Sequence, residues 1–596
     1  MDILNKEQFD SDIIESKINQ SYSYGRIVGL LVIAFILLSI LASRLWYLQV
    51  FRYSYYKQRS EDNRLRIIPI PPSRGVISDR NGNVLATNRT SYSLLLYPTK
   101  ITPEIEKKFE NLSKIIDVPK EEILAKINSL GSNSPYPVNI VQDLDQNMIS
   151  RLLEDRFSFP PLTIEPDLIR LYTKKHSASH ILGYTGEITQ DELDENKDSK
   201  ETNYKMGDII GKTGVESTFE KYLKGEKGGH FIEVDSIGRK IKTLKTDLPK
   251  RGNSIKLTID MNIQRKLEGL LEGKSCAGVV MDVNTGEIIA MASKPDFDPN
   301  MFSSGISKKE WAKVQQLQYP FLNRAINPYT PGSIFKIITS SAGLELGKTS
   351  EYRQFYSKGF FKIGNHTFWD WNPTGFGWVN MEKALAYSID TVYYELATEM
   401  SMNDIKRYAN LYSLGQKTGI DLPAEAKGLI PSRAWKIKYW GEDWYVGDTI
   451  NSSIGQGFIQ VSPLQAAVMT AALANGGKVL KPIIVKSIEN KETQKPIVKR
   501  NLNMSTNNLR IIKEGLRGAV TYGTAGLLKF STLQVAAKTG SAEDPPRRKT
   551  HAWVVSYAPY NNPKYTVVIF LQNYGHGGGV AAPIAREIYK ELYKIK

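Results

Sequence analysis

The chain has 596 residues, of which 41% are hydrophobic and 23% are charged, and its mean hydropathy is −0.32. This apolar fraction can fill sizeable cores and excludes a wholly disordered chain, while the negative mean hydropathy excludes a polytopic membrane protein. The net charge of +16 favours an anionic neighbourhood, but it is spread along the chain without the basic run or zinc-finger spacing that would indicate a nucleic acid partner. The single cysteine, Cys276, excludes an intramolecular disulfide and is expected to be buried.

The most apolar segment runs from Ile27 to Leu48. It can cross a hydrocarbon core as a helix, and Arg44 and Trp46 lie near its end, where charged and aromatic side chains suit the membrane interface. Because no small-x-small cleavage site follows it, the pattern predicts a retained transmembrane anchor at 27–48, preceded by a polar tail at 1–26. More basic residues follow the segment than precede it, but that bias weakens before a long domain, so charge leaves the orientation open.

The rest of the chain divides near Arg251-Gly252 into an N-terminal domain, 53–252, and a larger C-terminal domain, 253–596. In the first, Asn81-Gly82 between apolar stretches predicts a β-hairpin. In the second, strands at both ends with helical patterns over 331–475 between them predict an α+β fold built on one antiparallel sheet. The strands predicted there are Ala277–Val283, Glu287–Ala292, Val535–Lys538, His551–Tyr557 and Tyr565–Gln572, and a closing helix is predicted over Pro583–Tyr593.

Ser333 and Lys336 form an S-x-x-K pattern directly after Pro331-Gly332. The Pro-Gly pair breaks the preceding chain and the apolar run that follows can be helical, so the two side chains fall on one face, one turn apart. A serine hydroxyl becomes nucleophilic when a base takes its proton, and a lysine whose pKa is lowered by burial or by cations can be that base. The bare pattern also arises by chance, as at Ser54–Lys57, so spacing alone leaves Ser333 only a candidate nucleophile.

A second candidate motif consists of Lys538, Thr539, Gly540 and Ser541, on a predicted strand of the same domain. Gly540 permits a close backbone approach, while the lysine and the two hydroxyls can receive a carboxylate. The chain also contains Lys212-Thr213-Gly214 in a glycine-rich stretch. We expect that copy to turn or cap the chain rather than to bind a substrate.

A third candidate is the pair Ser388 and Asp390, which lies inside an otherwise helical pattern. Such a pair could relay a proton or hold a substrate amide, but a solvated helix surface is the more common explanation. Ser401-Met402-Asn403 has a similar pattern, a serine with a polar residue two positions later. His366 and Asp370 are potential metal ligands. With only six histidines and one cysteine in the chain, the ligand inventory predicts no metal site.

The order of these motifs separates them from their chance copies. S-x-x-K, then S-x-D, then K-T-G is the signature of penicillin-binding proteins and serine β-lactamases. With these motifs in this order the sequence resembles a class B penicillin-binding protein over nearly its whole length. The stretches that support the resemblance outside the three motifs are Arg74-Gly75, Asp79-Arg80-Asn81-Gly82, Met291-Ala292-Ser293-Lys294-Pro295, Tyr329-Thr330-Pro331-Gly332, Ile454-Gly455-Gln456-Gly457 and Pro463-Leu464-Gln465.

The pair Ser388 and Asp390, followed by Thr391, resembles the elongation-type subgroup, because division-type relatives more often carry Asn in place of the aspartate. Two departures from the family pattern are Ala537, where Gly often precedes the K-T-G, and Ser541, where Thr is usual. Neither removes the lysine or a hydroxyl. They leave fine substrate preference open, but not the type of reaction.

The resemblance implies a penicillin-binding transpeptidase fold, an antiparallel sheet flanked by helices, behind an elongated non-catalytic pedestal domain of the dimerisation type and one transmembrane helix. It implies that Ser333 is acylated by the penultimate D-alanine of a stem peptide and that Lys336 is its base, although the base is disputed in this superfamily. Ser388 and Asp390 would pass a proton to the leaving amine with Lys538 tuning the relay. The residues that would bind the substrate carboxylate are Thr539, Gly540 and Ser541.

The resemblance also implies the surroundings of the reaction. The partners would be peptidoglycan stem peptides, β-lactam antibiotics, a RodA-like membrane glycosyltransferase of the elongation machinery and scaffold proteins, with no nucleic acid, metal or nucleotide cofactor. Because peptidoglycan is cross-linked outside the inner membrane, the N-terminus would be cytoplasmic and the catalytic domain periplasmic.

Three alternatives to an elongation transpeptidase remain. The nearest is a division-specific class B transpeptidase. The second, of another class, is a non-catalytic β-lactam sensor or envelope scaffold, which the complete motif set disfavours. The third is a β-lactamase, which would need a residue that activates a deacylating water. We identify none in the sequence.

Overall fold

The computed structural model describes residues 4–57, 65–96, 101, 103–130, 138–155, 162–195, 204–234, 240–306, 308–491, 493–544 and 549–595. The chain forms two compact units, the first comprising Met1–Ile70 with Lys227–Pro249 and the second Pro71–Glu226 with Lys250–Lys596. Each unit combines segments that are separate in the sequence, so this division does not test the domains inferred over 53–252 and 253–596. Those boundaries stay a prediction.

The first unit contains the predicted anchor. One helix runs from Leu4 to Trp46 and continues as a π-helical turn over Tyr47–Phe51. Its 28-residue segment Tyr24–Phe51 is long and apolar enough to cross a membrane and has none of its most apolar window buried. A three-stranded antiparallel sheet completes the unit, with strands, in spatial order, Leu65–Ile70, Gly228–Val234 and Lys240–Asp247.

The N-terminal part of the second unit is built on a six-stranded sheet. The predicted hairpin is confirmed: Ile77–Ser78 pairs antiparallel with Val84–Leu96, and Gly82 in the turn has φ +92°. The long strand Val84–Leu96 also pairs with both Val138–Val141 and Leu162–Tyr172. The other two strands of this sheet are Ile255–Leu257 and Val485–Ile488. A separate short strand pair consists of Thr185–Glu187 and Ile209–Gly211. The helices of this part of the chain are Pro103–Lys107, Phe109–Ile116, Lys120–Leu130, Gln146–Glu154, Ser179–Leu182, Gln190–Glu195, Gly214–Thr218 and Glu220–Leu223.

The C-terminal part confirms the predicted α+β fold on an antiparallel sheet. Its five strands, in spatial order, are Ile288–Lys294, Cys276–Asp282, Tyr565–Leu571, His551–Ala558 and Ala536–Ala542. Alternate side chains of these strands enter two buried clusters, as expected for a sheet covered on both faces. Met261–Leu271 and Gly577–Tyr593 cover one face, and Pro463–Ala474 covers the other. Cys276 is buried in this sheet.

Between the first two and the last three of these strands, in chain order, lie most of the helices of this part. They and the remaining helical segments of this part are Asn300–Ser303, Lys308–Gln315, Lys336–Glu345, Met381–Ala386, Asp390–Thr398, Met402–Leu411, Arg433–Trp440, Val446–Ser453 and Thr506–Thr521, with 3₁₀ turns at Gly332–Phe335 and Gly526–Leu528. A further strand pair is formed by Lys478–Leu480 and Val498–Asn501.

Two features differ from the sequence-based expectation. The region 331–475 is not helical throughout, because Phe355–Ser357 pairs with Gly377–Val379 and Phe360–Ile363 pairs with His366–Trp369. The closing helix begins at Gly577 rather than at Pro583. The poor helix propensity of its first three residues, all glycine, conceals this start, yet a Cβ on Gly577 would lie 2.1 Å from the carbonyl oxygen of Trp553, so the close approach to the sheet requires glycine there.

Candidate active site

Ser333 lies in the 3₁₀ turn Gly332–Phe335, which leads directly into the helix Lys336–Glu345. The backbone N–H of Lys336 donates to the carbonyl of Ser333. Because residues i and i+3 eclipse in a 3₁₀ turn, the two side chains leave the backbone on the same side. Ser333 is partly exposed, whereas Lys336 is fully buried.

The ammonium of Lys336 connects two of the predicted motifs. Its Nζ donates to the carbonyl oxygen of Ser388 at 2.7 Å, to Oγ of Ser388 at 3.2 Å and to Oδ1 of Asp390 at 2.7 Å. It also lies 5.1 Å from the centroid of the Tyr393 ring. These contacts occupy all three donors of an ammonium and form a buried ion pair with Asp390.

Ser388 does not lie within a helix. It interrupts the helical pattern between Met381–Ala386 and Asp390–Thr398 and adopts φ +59°, the left-handed region that non-glycine residues rarely occupy. Asp390 is the first residue of the second helix, where a carboxylate is stabilised by the helix dipole. The turn directs the carbonyl and the hydroxyl of Ser388 to the same amine, which a regular helix would not do.

The K-T-G residues lie on Ala536–Ala542, the edge strand of the five-stranded sheet. Lys538 is fully buried, and burial, followed by the charge of Lys336, holds its pKa well below the usual value. Its Nζ lies 3.1 Å from the carbonyl oxygen of its neighbour Thr539. Oγ1 of Thr539 lies 2.7 Å from Oγ1 of Thr524, and Oγ of Ser541 lies 3.3 Å from Nδ1 of His576.

The edge strand and the turn that carries Ser333 are in backbone contact. A Cβ on Gly332, which has φ +57°, would lie 2.6 Å from the carbonyl oxygen of Ser541, and a Cβ on Gly540 would lie 2.8 Å from that of Pro331. Both glycines are therefore required by close approach, one from each side of the contact. These contacts bring the eight predicted site residues into one region of the domain: Ser333, Lys336, Ser388, Asp390, Lys538, Thr539, Gly540 and Ser541.

The chance copies of the motifs lie elsewhere. Ser401 caps the helix Met402–Leu411 in a capping box with Asp404, and Thr213 is the N-cap residue of Gly214–Thr218. Lys57 is exposed, unlike Lys336. Within the described part of the chain no three His, Cys, Asp or Glu side chains are grouped as metal ligands.

The sequence did not reveal several residues that contact the predicted site residues. Nε2 of Gln456 donates to the carbonyl of Ser541 at 3.5 Å, and the indole of Trp371 donates to that of Ser388 at 3.2 Å. Thr524 and His576 meet the K-T-G hydroxyls. Gln456 lies in a stretch that supports the family resemblance. We see no local sequence signal that marks Trp371, Thr524 or His576.

Family models and known proteins resemble this chain over most of its length. The model of the penicillin binding protein transpeptidase domain matches residues 276–590, which is more than half of the chain, and the penicillin-binding protein dimerisation domain matches residues 69–257. The peptidoglycan D,D-transpeptidase MrdA of Acinetobacter baumannii is 32% identical over 95% of this chain and 87% of that protein. MrdA of Escherichia coli is 31% identical over 94% and 92%. Stage V sporulation protein D of Bacillus subtilis is less similar, at 27% over 95% and 85%.

Solved structures agree with these relatives. The complex between penicillin-binding protein PBP2 and MreC from Helicobacter pylori contains a chain with TM-score 0.79 and 30% identity, covering 89% of this chain and 99% of that one. A chain from a peptidoglycan synthase complex, described as coordinating polymerization and crosslinking, gives TM-score 0.71 at 30% identity, covering 96% and 99%. The chain therefore belongs to the penicillin-binding protein transpeptidase family, within which its MrdA relatives are peptidoglycan D,D-transpeptidases.

Proposed function

We propose that this chain is a peptidoglycan D,D-transpeptidase of cell elongation that works through an acyl-enzyme on Ser333. The observation that carries the proposal is the contact of Lys336 with Ser388 and Asp390 behind the turn that holds Ser333. That contact joins two of the three motifs, and the close approach of Gly332 to the carbonyl oxygen of Ser541 supports including the third, the K-T-G strand, in the proposed site. We also propose that residues 53–252 form a non-catalytic domain and that residues 253–596 form the transpeptidase domain.

In the first half-reaction the hydroxyl oxygen of Ser333 forms an ester with the carbonyl carbon of the penultimate D-alanine, and the peptide bond to the terminal D-alanine breaks. Lys336 is the proposed base that takes the proton of the hydroxyl. From there it reaches the leaving amine through Ser388, whose Oγ is 3.2 Å from the lysine Nζ. General acid–base transfer of this kind requires hydrogen-bond distances, which the Lys336–Ser388 pair provides.

In the second half-reaction an amine of a neighbouring stem peptide attacks the ester, a cross-link forms and the serine hydroxyl is restored. Attack by water instead gives carboxypeptidase activity, so the same acyl-enzyme serves both outcomes. The backbone N–H groups of Ser333 and Ser541 are the proposed oxyanion donors. Each is worth about 3 kcal/mol by analogy with serine hydrolases.

The edge strand provides recognition of the substrate. Among the strands that the structure describes, Ala536–Ala542 has a paired neighbour on one side only, so its other edge can hydrogen-bond an extended stem peptide. The hydroxyls of Thr539 and Ser541 would bind the terminal carboxylate. Lys538, buried beside them, would attract that carboxylate when it carries a proton.

We propose that the apolar helix is a single-pass anchor in the inner membrane, with the N-terminus in the cytoplasm and the catalytic domain in the periplasm. The chemistry supports this orientation, because the cross-linked polymer lies outside that membrane. The relatives support two kinds of partner, since one similar structure is a complex with MreC and another is part of a peptidoglycan synthase complex. A scaffold protein and a membrane glycosyltransferase are therefore the proposed partners, beside stem peptides and β-lactams.

Labelling with a fluorescent penicillin tests the nucleophile. The native chain should form a covalent adduct, and peptide mapping by mass spectrometry should locate it on Ser333. Ser333→Ala should abolish the adduct, whereas the matched control Ser54→Ala, in the other S-x-x-K pattern, should label at the native rate. An adduct that persists in Ser333→Ala would refute the assignment.

Two further measurements separate the proposal from its alternatives. Incubation with paired stem peptides should give cross-linked product, whereas a sensor or scaffold would acylate without turnover and a β-lactamase would release hydrolysed drug. Depletion in cells should give swollen round cells. Filaments would indicate the division-specific alternative.

A further inference from the structure

The Ser388 turn is held in an unfavourable backbone conformation beside the base. Ser388 has φ +59°, and its carbonyl oxygen is a direct acceptor for Lys336. A serine in the left-handed region persists only when the surrounding structure holds it there. The contacts around the turn therefore indicate which residues do so.

Trp371 contacts the N-terminal side of the turn. Its indole Nε1–H lies 3.1 Å from the carbonyl oxygen of Tyr387 and 3.2 Å from that of Ser388, so it is shared between the two carbonyls. Its backbone N–H points to Oδ2 of Asp390 at 3.4 Å. The carbonyl of Ser388 thus accepts from Trp371 and from Lys336 at the same time, which uses both of its lone pairs.

Asp370 contacts the C-terminal side. Its Oδ2 accepts from the backbone N–H of Thr391 at 3.0 Å and from the hydroxyl of Thr391 at 3.1 Å. Because that hydroxyl donates to Asp370, the 2.8 Å contact between Oγ of Ser357 and Oγ1 of Thr391 has Ser357 as its donor. Asp370 is buried and its Oδ2 accepts both hydrogen bonds from Thr391, so it is a fixed internal acceptor rather than a solvated surface group.

We propose that Asp370 and Trp371 are positioning residues that clamp the Ser388–Asp390 turn from both sides and so fix the acceptors of Lys336. The two residues are adjacent in sequence, but their side chains bind opposite ends of the turn. Neither hydrogen-bonds to Ser333, so they act through the turn and not on the reacting atoms. The inference rests on the proposed function, since it concerns the rate at which Ser333 is acylated.

The first test is Trp371→Phe, measured as the rate constant of acylation by a fluorescent penicillin on the full chain. Phe retains a ring beside Phe376, whose centroid lies 5.5 Å from that of Trp371, but removes the indole donor. Trp371 is 58% exposed, so the substitution should leave the melting temperature nearly unchanged. We expect the acylation rate constant to fall roughly three- to tenfold, the amount that one net hydrogen bond supplies. The matched control is Trp378→Phe, which is 67% exposed and contacts the Tyr356 ring, and it should acylate at the native rate.

The second test compares three changes at Asp370 and Thr391. Asp370→Ala removes the acceptor and should slow acylation at least tenfold, whereas Asp370→Asn keeps one oxygen for Thr391 and should be intermediate. Thr391→Val removes only the hydroxyl. Because the hydroxyl of Thr391 acts through its hydrogen bond to Asp370, combining Thr391→Val with Asp370→Ala should slow acylation no further than Asp370→Ala alone.

A purely structural role predicts a different pattern. It would lower the labelled fraction at completion while the remaining molecules acylate at the native rate, and that result would overturn the proposal, as would a native rate in Trp371→Phe. Should Asp370→Ala fail to fold, Asp370→Asn and Trp371→Phe still decide. Mapping of the adduct in the native chain separates the two proposals. An adduct away from Ser333 refutes the proposed function. An adduct on Ser333 with a native acylation rate in Trp371→Phe refutes only the positioning role of Asp370 and Trp371.

Discussion

Gly332→Ala would test whether the backbone contact between the Ser333 turn and the K-T-G strand sets the rate of acylation. Gly332 has φ +57°, so an alanine there costs about 1 kcal/mol of conformational strain. Its Cβ would also lie 2.6 Å from the carbonyl oxygen of Ser541, where ordinary contact begins at 3.4 Å. The strand or the turn must therefore move by about 0.8 Å. Since a misplacement of about 1 Å can cost a hundredfold in rate, acylation should slow ten- to a hundredfold.

The matched control is Gly347→Ala. Gly347 also has a positive φ, +66°, but no atom lies within 4 Å of the position its Cβ would take. This variant should show the strain alone, as a lower melting temperature with native acylation. The assay is the time course of penicillin labelling, with the rate constant taken from the fraction that still unfolds cooperatively. A native rate constant in Gly332→Ala would refute the reasoning.

Three further predictions concern stability and the chance motifs. Lys538→Met should abolish rapid acylation but raise the melting temperature, because it removes a buried amine whose pKa burial depresses. Since the unfolded chain binds that proton more tightly, native stability should rise with pH towards 10.5, and the Met variant should lack this contribution. Ser401→Ala should cost about 1 kcal/mol of stability through the lost N-cap, with labelling unchanged. Burial lowers the pKa of His180 to about 4, below its usual 6.5. The free energy of unfolding should therefore fall as the pH drops from 6.5 towards 4, by about 2 kcal/mol between pH 7 and 5. In urea unfolding, His180→Gln should show a correspondingly shallower dependence of this free energy on pH.

Much of the fold could be predicted because its signals are local. Asn81-Gly82 between apolar stretches predicts a hairpin that the structure contains, and the strands predicted over Ala277–Val283 and Glu287–Ala292 pair antiparallel. The start of the closing helix at Gly577 could not be predicted, since glycine suits that position only because the sheet backbone lies against it. The strand pairs within 355–379 were missed because their strands are only three or four residues long, too short for a periodic pattern.

The candidate site also combines features that the sequence predicts with features that only the structure reveals. Residue type and motif order identified the serine, the lysines and the hydroxyls, because the chemistry requires those groups whatever the fold around them. Spacing alone did not separate Ser333–Lys336 from Ser54–Lys57. The structure distinguishes them by burial, since Lys336 is inaccessible and paired with Asp390 whereas Lys57 is exposed.

The sequence by itself determined the apolar anchor segment, the α+β class and the groups able to perform acyl transfer, since hydrophobic periodicity and side-chain chemistry are properties of short stretches of chain. Only the tertiary structure decided that the K-T-G strand lies at the edge of the sheet, that Ser388 adopts a left-handed turn and that Trp371 and Asp370 bind it. Those features depend on hydrogen bonds and close packing between segments remote in sequence, and such contacts form only when the chain has folded.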